Sequence, residues 1–543
     1  MDLSKKITTD VLIIGGGMSG LLAAIKAKKE GADVVLVDKG HAGKSGQSPY
    51  ADSFCPYNPE WGHDLDKWMK QVNVSGEYMN DPRWTKLVFE GSFKCYEEMV
   101  KWGVDFLKNS DSTLFKKGDL GGGPSTIFYK KNQAPGLARK EAIKLGIRII
   151  DRVMVTDLVK NDHKVIGAIG ISVEEADLYV FNSKVTVMCA GAVGFKPNGW
   201  PIHELTGDAD AMAYRIGAEV LGKEFIDTHM TTAENPAYQS FAEQMSEGAL
   251  PNTGPKFKLV NGDGNVRQYL YKGLWLSNEF EIHQGKGPIN AEFPDGSIVK
   301  FAGGTSLGMA CHKTEGIVPK DLSCATEIEG LFAAGDALGN MAAGSVYPLM
   351  GFAITHACVT GCVAGTNAAK YALKEENESI SDEKIEMFKA NIFAPLERSS
   401  GFDPRWAIDV LKNTLTPYFI LYIKHETRLE GALAYIEFMS NHIVPKLKAN
   451  DAHELRLAIE VKNMLLSAEI KLKSSLERKE SRGTHYREDY PKRDDENFLA
   501  WIKLKEVDGK MNVRVDPIPK EYLPDLTIPY EERYPVRIPN EFN

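Results

Sequence analysis

Residues 10–17, DVLIIGGG, form an apolar run that stops at three glycines, and LLAAIKAKKEG follows at once with apolar residues at helical spacing. Such a pattern reads as a buried strand entering a tight turn and then an amphipathic helix. A second apolar stretch, Val34–Val37, ends in Asp38. Gly15, Gly17 and Gly20 stand at the G-x-G-x-x-G spacing. The first glycine turns the chain tightly, the second lets backbone N–H groups approach a pyrophosphate, and the third lets helix pack on strand. Asp38, eighteen residues beyond Gly20, is placed to accept hydrogen bonds from a ribose. Strand, helix, second strand and acid in register leave few folds open. They predict a Rossmann-like α/β unit that binds a dinucleotide, with Ser19 inside the fingerprint and Lys39 beside the acid as further contact candidates.

Whether the dinucleotide is NAD or FAD is decided far downstream. IEGLFAAGDALGN, residues 328–340, reads as a short strand ending at Gly335-Asp336, followed by the small-residue helix GFAITHACVTGCVAGTNAAKYA. An acid at such a turn can bind a second ribose or a flavin side-chain hydroxyl, while the dipole of the helix that follows faces the pyrophosphate. KVTVMCAG, residues 184–191, is a further strand ending in small residues, Ala190 and Gly191. Two such turns on one cofactor imply an extended molecule, and FAD is the expectation.

The remaining chain bounds the function. Its 543 residues, 43% hydrophobic and 26% charged, are enough for several domains and typical of a globular protein. A net charge of -9 argues against nonspecific attraction to nucleic acid or acidic lipid. No stretch reaches the ~18 uninterrupted apolar residues of a membrane span, and the run Val11–Ile14 is too short for a signal peptide. Seven cysteines, at 55, 95, 189, 311, 324, 358 and 362, include no C-x-x-C. That scatter points to a reducing, cytoplasmic setting and to no cluster or zinc held by cysteine in this chain, so an electron relay must run elsewhere.

Several segments together resemble the flavoprotein subunits of succinate dehydrogenase and fumarate reductase, with L-aspartate oxidase and adenylylsulfate reductase alpha as cousins. They are the N-terminal glycine turn, TGDADAMAYRIGAEV from Thr206, HQGKGPI from His283, HKTEGIVP from His312, the Gly335-Asp336 segment and ESRGTHYREDYPKRDDEN from Glu480. The resemblance spans nearly the whole chain. It implies an FAD-binding domain of residues 1–222 and 311–375, an inserted α+β capping domain of 223–310, a helical domain of 376–480 and a C-terminal segment of 481–543. Within the helical part, Leu457, Val461, Leu465, Ala468, Leu472 and Leu476 recur at three- and four-residue steps, a stripe that predicts core packing. The tail after 510, rich in Pro and Tyr and without evident periodicity, is expected to lie as an extended arm.

The family also suggests site residues. His229 in KEFIDTHMT and His312 match its two substrate-contacting histidines, and Asp208 joins the cofactor contacts. The family's two arginines are a different matter. Counting seventeen residues back from Pro288 lands on Tyr271 with Lys272 beside it, and counting on from the Gly-Asp turn lands near Tyr347 and Pro348. A phenol offers one neutral hydrogen bond where a guanidinium forks two charged ones onto a carboxylate. The departure argues against succinate, fumarate and aspartate as substrates. Gly46 and Gln47 stand in GKSGQSPYADS where the respiratory enzymes carry the histidine bonded to flavin. FAD is therefore expected to be held noncovalently, with Ser45 and Ser48 as contacts.

These readings converge on an FAD-dependent oxidoreductase that reduces or forms an activated C=C bond by hydride transfer at flavin N5. His229 and His312 would orient a polar group, and Tyr271 or Lys272, with Tyr347 nearby, would handle the proton. A sulfur-oxyanion chemistry like that of adenylylsulfate reductase, and a noncatalytic electron-transfer role, are the alternatives. Without cluster cysteines the expected partner is an iron–sulfur subunit docking on the charged C-terminal region, where Arg482, His485 and Arg487 lie. Direct use of NAD(P)H is the rival, and homo- or hetero-oligomeric assembly stays open.

Overall fold

The computed structural model describes residues 5–118, 120–196, 202–226, 258–266, 281–301 and 315–534. Its centre is a seven-stranded sheet built from β1 (Lys5–Ile14), β2 (Val34–Asp38), β3 (Arg148–Asp151), β4 (Val153–Asn161), β5 (Lys164–Ser172), β6 (Leu178–Met188) and β7 (Leu331–Ala333). In space the order is β3-β2-β1-β6-β5-β4. β1 lies parallel to both β2 and β6, with Val11 opposite Val34 and Val185, and Ile14 opposite Val37 and Met188. β6 is long enough to change neighbours: its first half pairs antiparallel with β5, and its end, Thr186–Met188, pairs parallel with β7.

This register decides where a ligand can go. It sets the C-terminal ends of β1, β2, β6 and β7 at one edge, and parallel α/β sheets bind ligands outside the carboxyl ends of their strands. Residues 15–17, 38, 189–191 and 334–336 all leave the sheet there. Val11 to Ile14 are almost wholly buried, as a central strand covered on both faces requires. One covering layer is α1 (Met18–Lys29) against α4 (Phe352–Ala372), numbered after α2 (Pro82–Lys101) and α3 (Asp208–Arg215). These two helices touch backbone to backbone, since a Cβ on Gly365 would fall 2.1 Å from the Ala23 carbonyl oxygen.

Residues 258–260, 289–292 and 298–301 form a small antiparallel sheet within the stretch expected to cap the site. Beyond 380 come the helices Asp382–Glu397, Pro404–Leu415, Glu426–Phe438 and α5 (Ala452–Glu477). On α5, Leu457, Val461, Leu465, Ala468 and Leu472 are buried in a second hydrophobic core, with Leu476 at its margin.

The tail departs from expectation. Lys510–Pro517 is a strand paired antiparallel with Ala500–Val507. Met511 and Val513, two residues apart on one face, pack against the buried cluster of Tyr214, Val220 and Ile470. The alternation is short and interrupted by charges, which hides it among the prolines and tyrosines. No described helix is long and apolar enough to cross a membrane.

Candidate flavin site

The site forms where four distant segments meet at the N-terminus of α1. Gly20 must be glycine, because a Cβ there would lie 1.8 Å from the Gly15 carbonyl oxygen. Gly15 in turn backs onto the end of β6, its hypothetical Cβ 2.8 Å from the Ala190 Cα. The Ser48 hydroxyl accepts a hydrogen bond from the Met18 N–H at 3.0 Å. A Cβ on Gly335 would come within 2.6 Å of Ser19 Oγ, so the downstream acidic turn rests on the first turn of α1. Thr360 of α4 holds that turn by accepting from the Gly335 N–H at 3.0 Å.

The small-residue helix expected downstream of this acidic turn, in GFAITHACVTGCVAGTNAAKYA, is α4, which begins at Phe352 after loop and turn from Leu338 to Gly351. The helix dipole that the sequence assigned to the pyrophosphate therefore starts fifteen residues beyond Ala337. α1, capped at Gly17 without a side chain, is the helix that opens within the glycine turn itself.

Asp38 closes β2 with both carboxylate oxygens engaged, one by the Gly16 N–H at 2.7 Å and one by the Gly40 N–H at 2.8 Å. Burial pushes its carboxyl up in spite of those bonds. Each oxygen retains a lone pair, so Asp38 stiffens the turn and can still accept from a ribose. Lys39 and Asp208 are paired with each other at 2.8 Å, and Lys39 also meets Glu460 of α5 at 2.9 Å. Glu460 is fully buried, which raises its carboxyl, but Lys39, Lys196 and Arg456 outweigh that and hold it at about 2. Neither Glu460 nor Lys196, paired at 2.8 Å, had a sequence signal, because both belong to segments that read as ordinary helix and loop.

The loop 45–48 lies over the same opening. Ser45 accepts from the His41 N–H at 2.6 Å, and a Cβ on Gly46 would meet nothing within 4 Å. Gln47 carries a buried Oε1 with no hydrogen-bond partner. An unpartnered buried acceptor beside open space and a glycine turn fits an elongated polar cofactor. Gly15, Gly17, Ala190, Gly191 and Asp336 keep partial exposure while their neighbours along the chain are largely buried.

His229, Tyr271, Lys272 and His312 lie outside the described residues. Tyr347 is half-buried against the main core, and its hydroxyl accepts from the Ala353 N–H in the first turn of α4 at 3.4 Å. The C-terminal charge run, which packs on the loop between the acidic turn and α4 through Thr484 and Ser345, is not a solvated face. Arg482, His485 and Arg487 are fully buried. Arg482 forks onto Glu480 at 2.8 and 2.9 Å and reaches Asp495 at 2.7 Å, and Arg487 forks onto Asp489. These three side chains are thus engaged internally, whereas Lys492 and Glu496 of the same run are exposed.

Comparison with known proteins agrees with this architecture. Residues 10–263 match the family described as FAD binding domain, and residues 412–534 match fumarate reductase flavoprotein C-term. The fumarate reductase (CoM/CoB) of Methanothermobacter marburgensis contains a polypeptide 25% identical to this one, with 90% of this chain and 95% of the relative covered. In solved structures, an E. coli quinol fumarate reductase chain superposes with a TM-score of 0.80 at 18% identity, covering 96% of this chain and 98% of that one. Adenylylsulfate reductase from Archaeoglobus fulgidus gives 0.79 at 20% identity over 95% and 97%. The chain belongs to the fumarate reductase and succinate dehydrogenase flavoprotein family and is an FAD-dependent oxidoreductase of that type.

Proposed function

We propose that this protein reduces, or in reverse forms, an activated C=C bond on a substrate other than a simple C4 dicarboxylate, holding FAD noncovalently. The observation that carries the cofactor assignment is the junction of the Gly15–Gly20 turn with the Gly335-Asp336 turn through Ser19. When bound, FAD supplies N5 as hydride donor or acceptor. The pyrophosphate would lie on the glycine turn and the N-terminus of α1, with Asp38 and Asp336 toward hydroxyls and Gln47 and Ser48 toward the ring end. Gln47 lacks the nucleophilic side chain that a covalent flavin bond needs.

The distribution of arginine bears on the substrate class. The sequence has none between Arg267 and Arg398. A register error of a few residues therefore cannot restore a carboxylate clamp at Tyr347 and Pro348. With a phenol there, the second end of the substrate is held by one neutral bond, which suits an enoate or enone with a single carboxylate or carbonyl better than a dianion. His229 and His312 would orient that polar group, and Tyr271 or Lys272 would carry the proton.

The cysteine pattern supports an iron–sulfur partner as the electron route, docking on the charged C-terminal region through its exposed residues such as Lys492 and Glu496 rather than through the buried Arg482, His485 and Arg487. The test is a panel of acceptors with reduced viologen as donor. Turnover of α,β-unsaturated monocarboxylates or enones at ten or more times the rate on fumarate is expected, and brisk fumarate turnover overturns the substrate assignment. Acid precipitation releasing all of the flavin as FAD checks the noncovalent attachment.

A further inference from the structure

After Ile226 the chain enters the stretch expected to cap the site, and on its return toward the acidic turn the described residues begin again at Glu315. Those two crossings are bonded to each other. The Leu221 N–H donates to the Gly316 carbonyl at 3.0 Å, and the Val318 N–H to the Glu219 carbonyl at 2.8 Å. The returning crossing also borders the cofactor turn. Ile317 N–H donates to the Ala337 carbonyl at 2.9 Å and Gly339 N–H to the Ile317 carbonyl at 2.8 Å. The Glu315 carboxylate accepts from the Asn340 and Met341 N–H groups at 2.7 and 2.8 Å.

At the centre of this unit lies Lys223, with its side chain 3% exposed. Its Nζ donates to the Glu315 carbonyl oxygen and pairs with Asp210 of α3 at 2.5 Å. Its own carbonyl is capped by Lys471 of α5 at 2.9 Å. Residues next to it are fixed in the same manner: Lys424 donates to the Glu224 carbonyl at 2.6 Å, Arg478 to the Glu224 carboxylate at 3.0 Å, and Ile226 N–H to Thr484 Oγ1 at 3.1 Å. Burying an ion pair gains little stability over an apolar pair of the same volume, whereas it fixes geometry through direction and partner choice. A lysine at this place is thus better explained by position than by stability.

We infer that Lys223 is a positioning residue that locks the two crossings to each other and to the Gly335–Met341 turn. This rests on the proposed roles of His229 and His312. His229 follows Ile226 by three residues and His312 precedes Glu315 by three. A three-residue tether spans at most about 10 Å. Displacing either crossing therefore shifts the point at which the chain departs toward each histidine and the backbone bonds that border the acidic turn. Lys223 touches no reacting atom and acts through the crossings alone.

The test is Lys223→Met in the full-length, FAD-loaded protein, with two readouts. Hydrogen exchange of peptides covering 219–226 and 315–318 should accelerate at least tenfold, with β1 and the FAD dissociation constant unchanged within twofold. With the fastest acceptor of the panel, kcat should fall at least tenfold and KM change less than threefold. Lys223→Gln, which keeps a donor toward the Glu315 carbonyl, should recover part of both, and it carries the same readouts should the methionine variant fail to fold. Exchange unchanged in the crossings, or a kcat loss that only tracks lost flavin, overturns the inference. The exchange measurement needs no acceptor, so it decides the clamp even where no compound in the panel oxidises the reduced flavin.

Discussion

The N-terminus of α1 and the stretch 478–495 are both built from buried polar atoms, yet they handle them in opposite ways. Around α1 the polar groups are backbone N–H groups and short side chains, brought close by glycines, and Gln47 keeps a buried oxygen with no partner. In the C-terminal stretch the guanidinium groups are nearly saturated. Arg478 reaches Glu224, Glu480 and the carbonyls of Phe498 and Ala500, and Arg493 forks onto Glu77. A region that leaves acceptors unused beside open space is prepared for something that arrives later. One whose charges are satisfied from within is holding parts of the chain together, here the loop at Glu77, the crossing at Glu224 and the tail at Tyr534.

The contrast is broken most severely by Arg482→Met. The change strips the forked guanidinium from the buried Glu480, which keeps Arg478, and one of two arginines from Asp495, which keeps Arg533, and breaking such a buried pair costs up to about 3–5 kcal/mol. Chemical denaturation should show that loss, with FAD affinity in the residual folded protein altered little. Gly20→Ala does the reverse. Its methyl group collides with the Gly15 carbonyl, so α1 must lift from β1 at a cost of about 1–3 kcal/mol. The folded fraction should be colourless and refuse FAD. A yellow Gly20→Ala protein of normal affinity contradicts the site as drawn.

The same contrast explains what the sequence discloses. The glycine turn is local: strand, turn, helix and acid fall within thirty residues, and periodicity alone identifies them. The α5 stripe is legible for the same reason. The fate of Arg482, His485 and Arg487 is not: their carboxylate partners Glu480, Asp495 and Asp489 stand in the same run, but what covers them comes from distant segments, among them Glu77 over Arg482 and Lys424 over His485. Lys39 shows the limit inside the site itself. Adjacent to Asp38, it reads as a cofactor contact, while its ammonium is engaged by Asp208 and by Glu460. Only the tertiary fold brings Glu460 there, and nothing in the α5 stripe distinguishes that carboxylate from a solvated one.

A pH titration sharpens the comparison. Burial first, and then the charges of Lys424, Arg478 and Arg487, push the His485 imidazole well below its ordinary 6.5. Lys424 Nζ stands 2.7 Å from His485 Nδ1, and Nε2 faces the Arg478 carbonyl at 3.1 Å, so the neutral ring with its proton on Nε2 satisfies both. The folded state then binds this proton less readily than the unfolded state. The stability that follows is complete above the unfolded value and is lost as pH falls below it, by up to about 1.4 kcal/mol per pH unit. His485→Asn keeps an acceptor toward Lys424 and should flatten the slope between about pH 6.5 and 5. An unchanged slope contradicts a neutral buried imidazole.

The smallest effect belongs to Gln47. In the protein without FAD, its buried oxygen lacks a hydrogen bond, and a group left so costs about 1–3 kcal/mol. Gln47→Ala removes that penalty, so the flavin-free protein should melt no lower than the parent and by this reasoning somewhat higher. With FAD bound, the amide gains the partner it lacked, and its removal should weaken affinity by about 1 kcal/mol, roughly fivefold in Kd. Opposite signs in the two states are the signature of an acceptor reserved for the ligand. A destabilised apo-protein with unaltered FAD affinity would assign Gln47 to the framework, alongside Arg482 rather than Ser48.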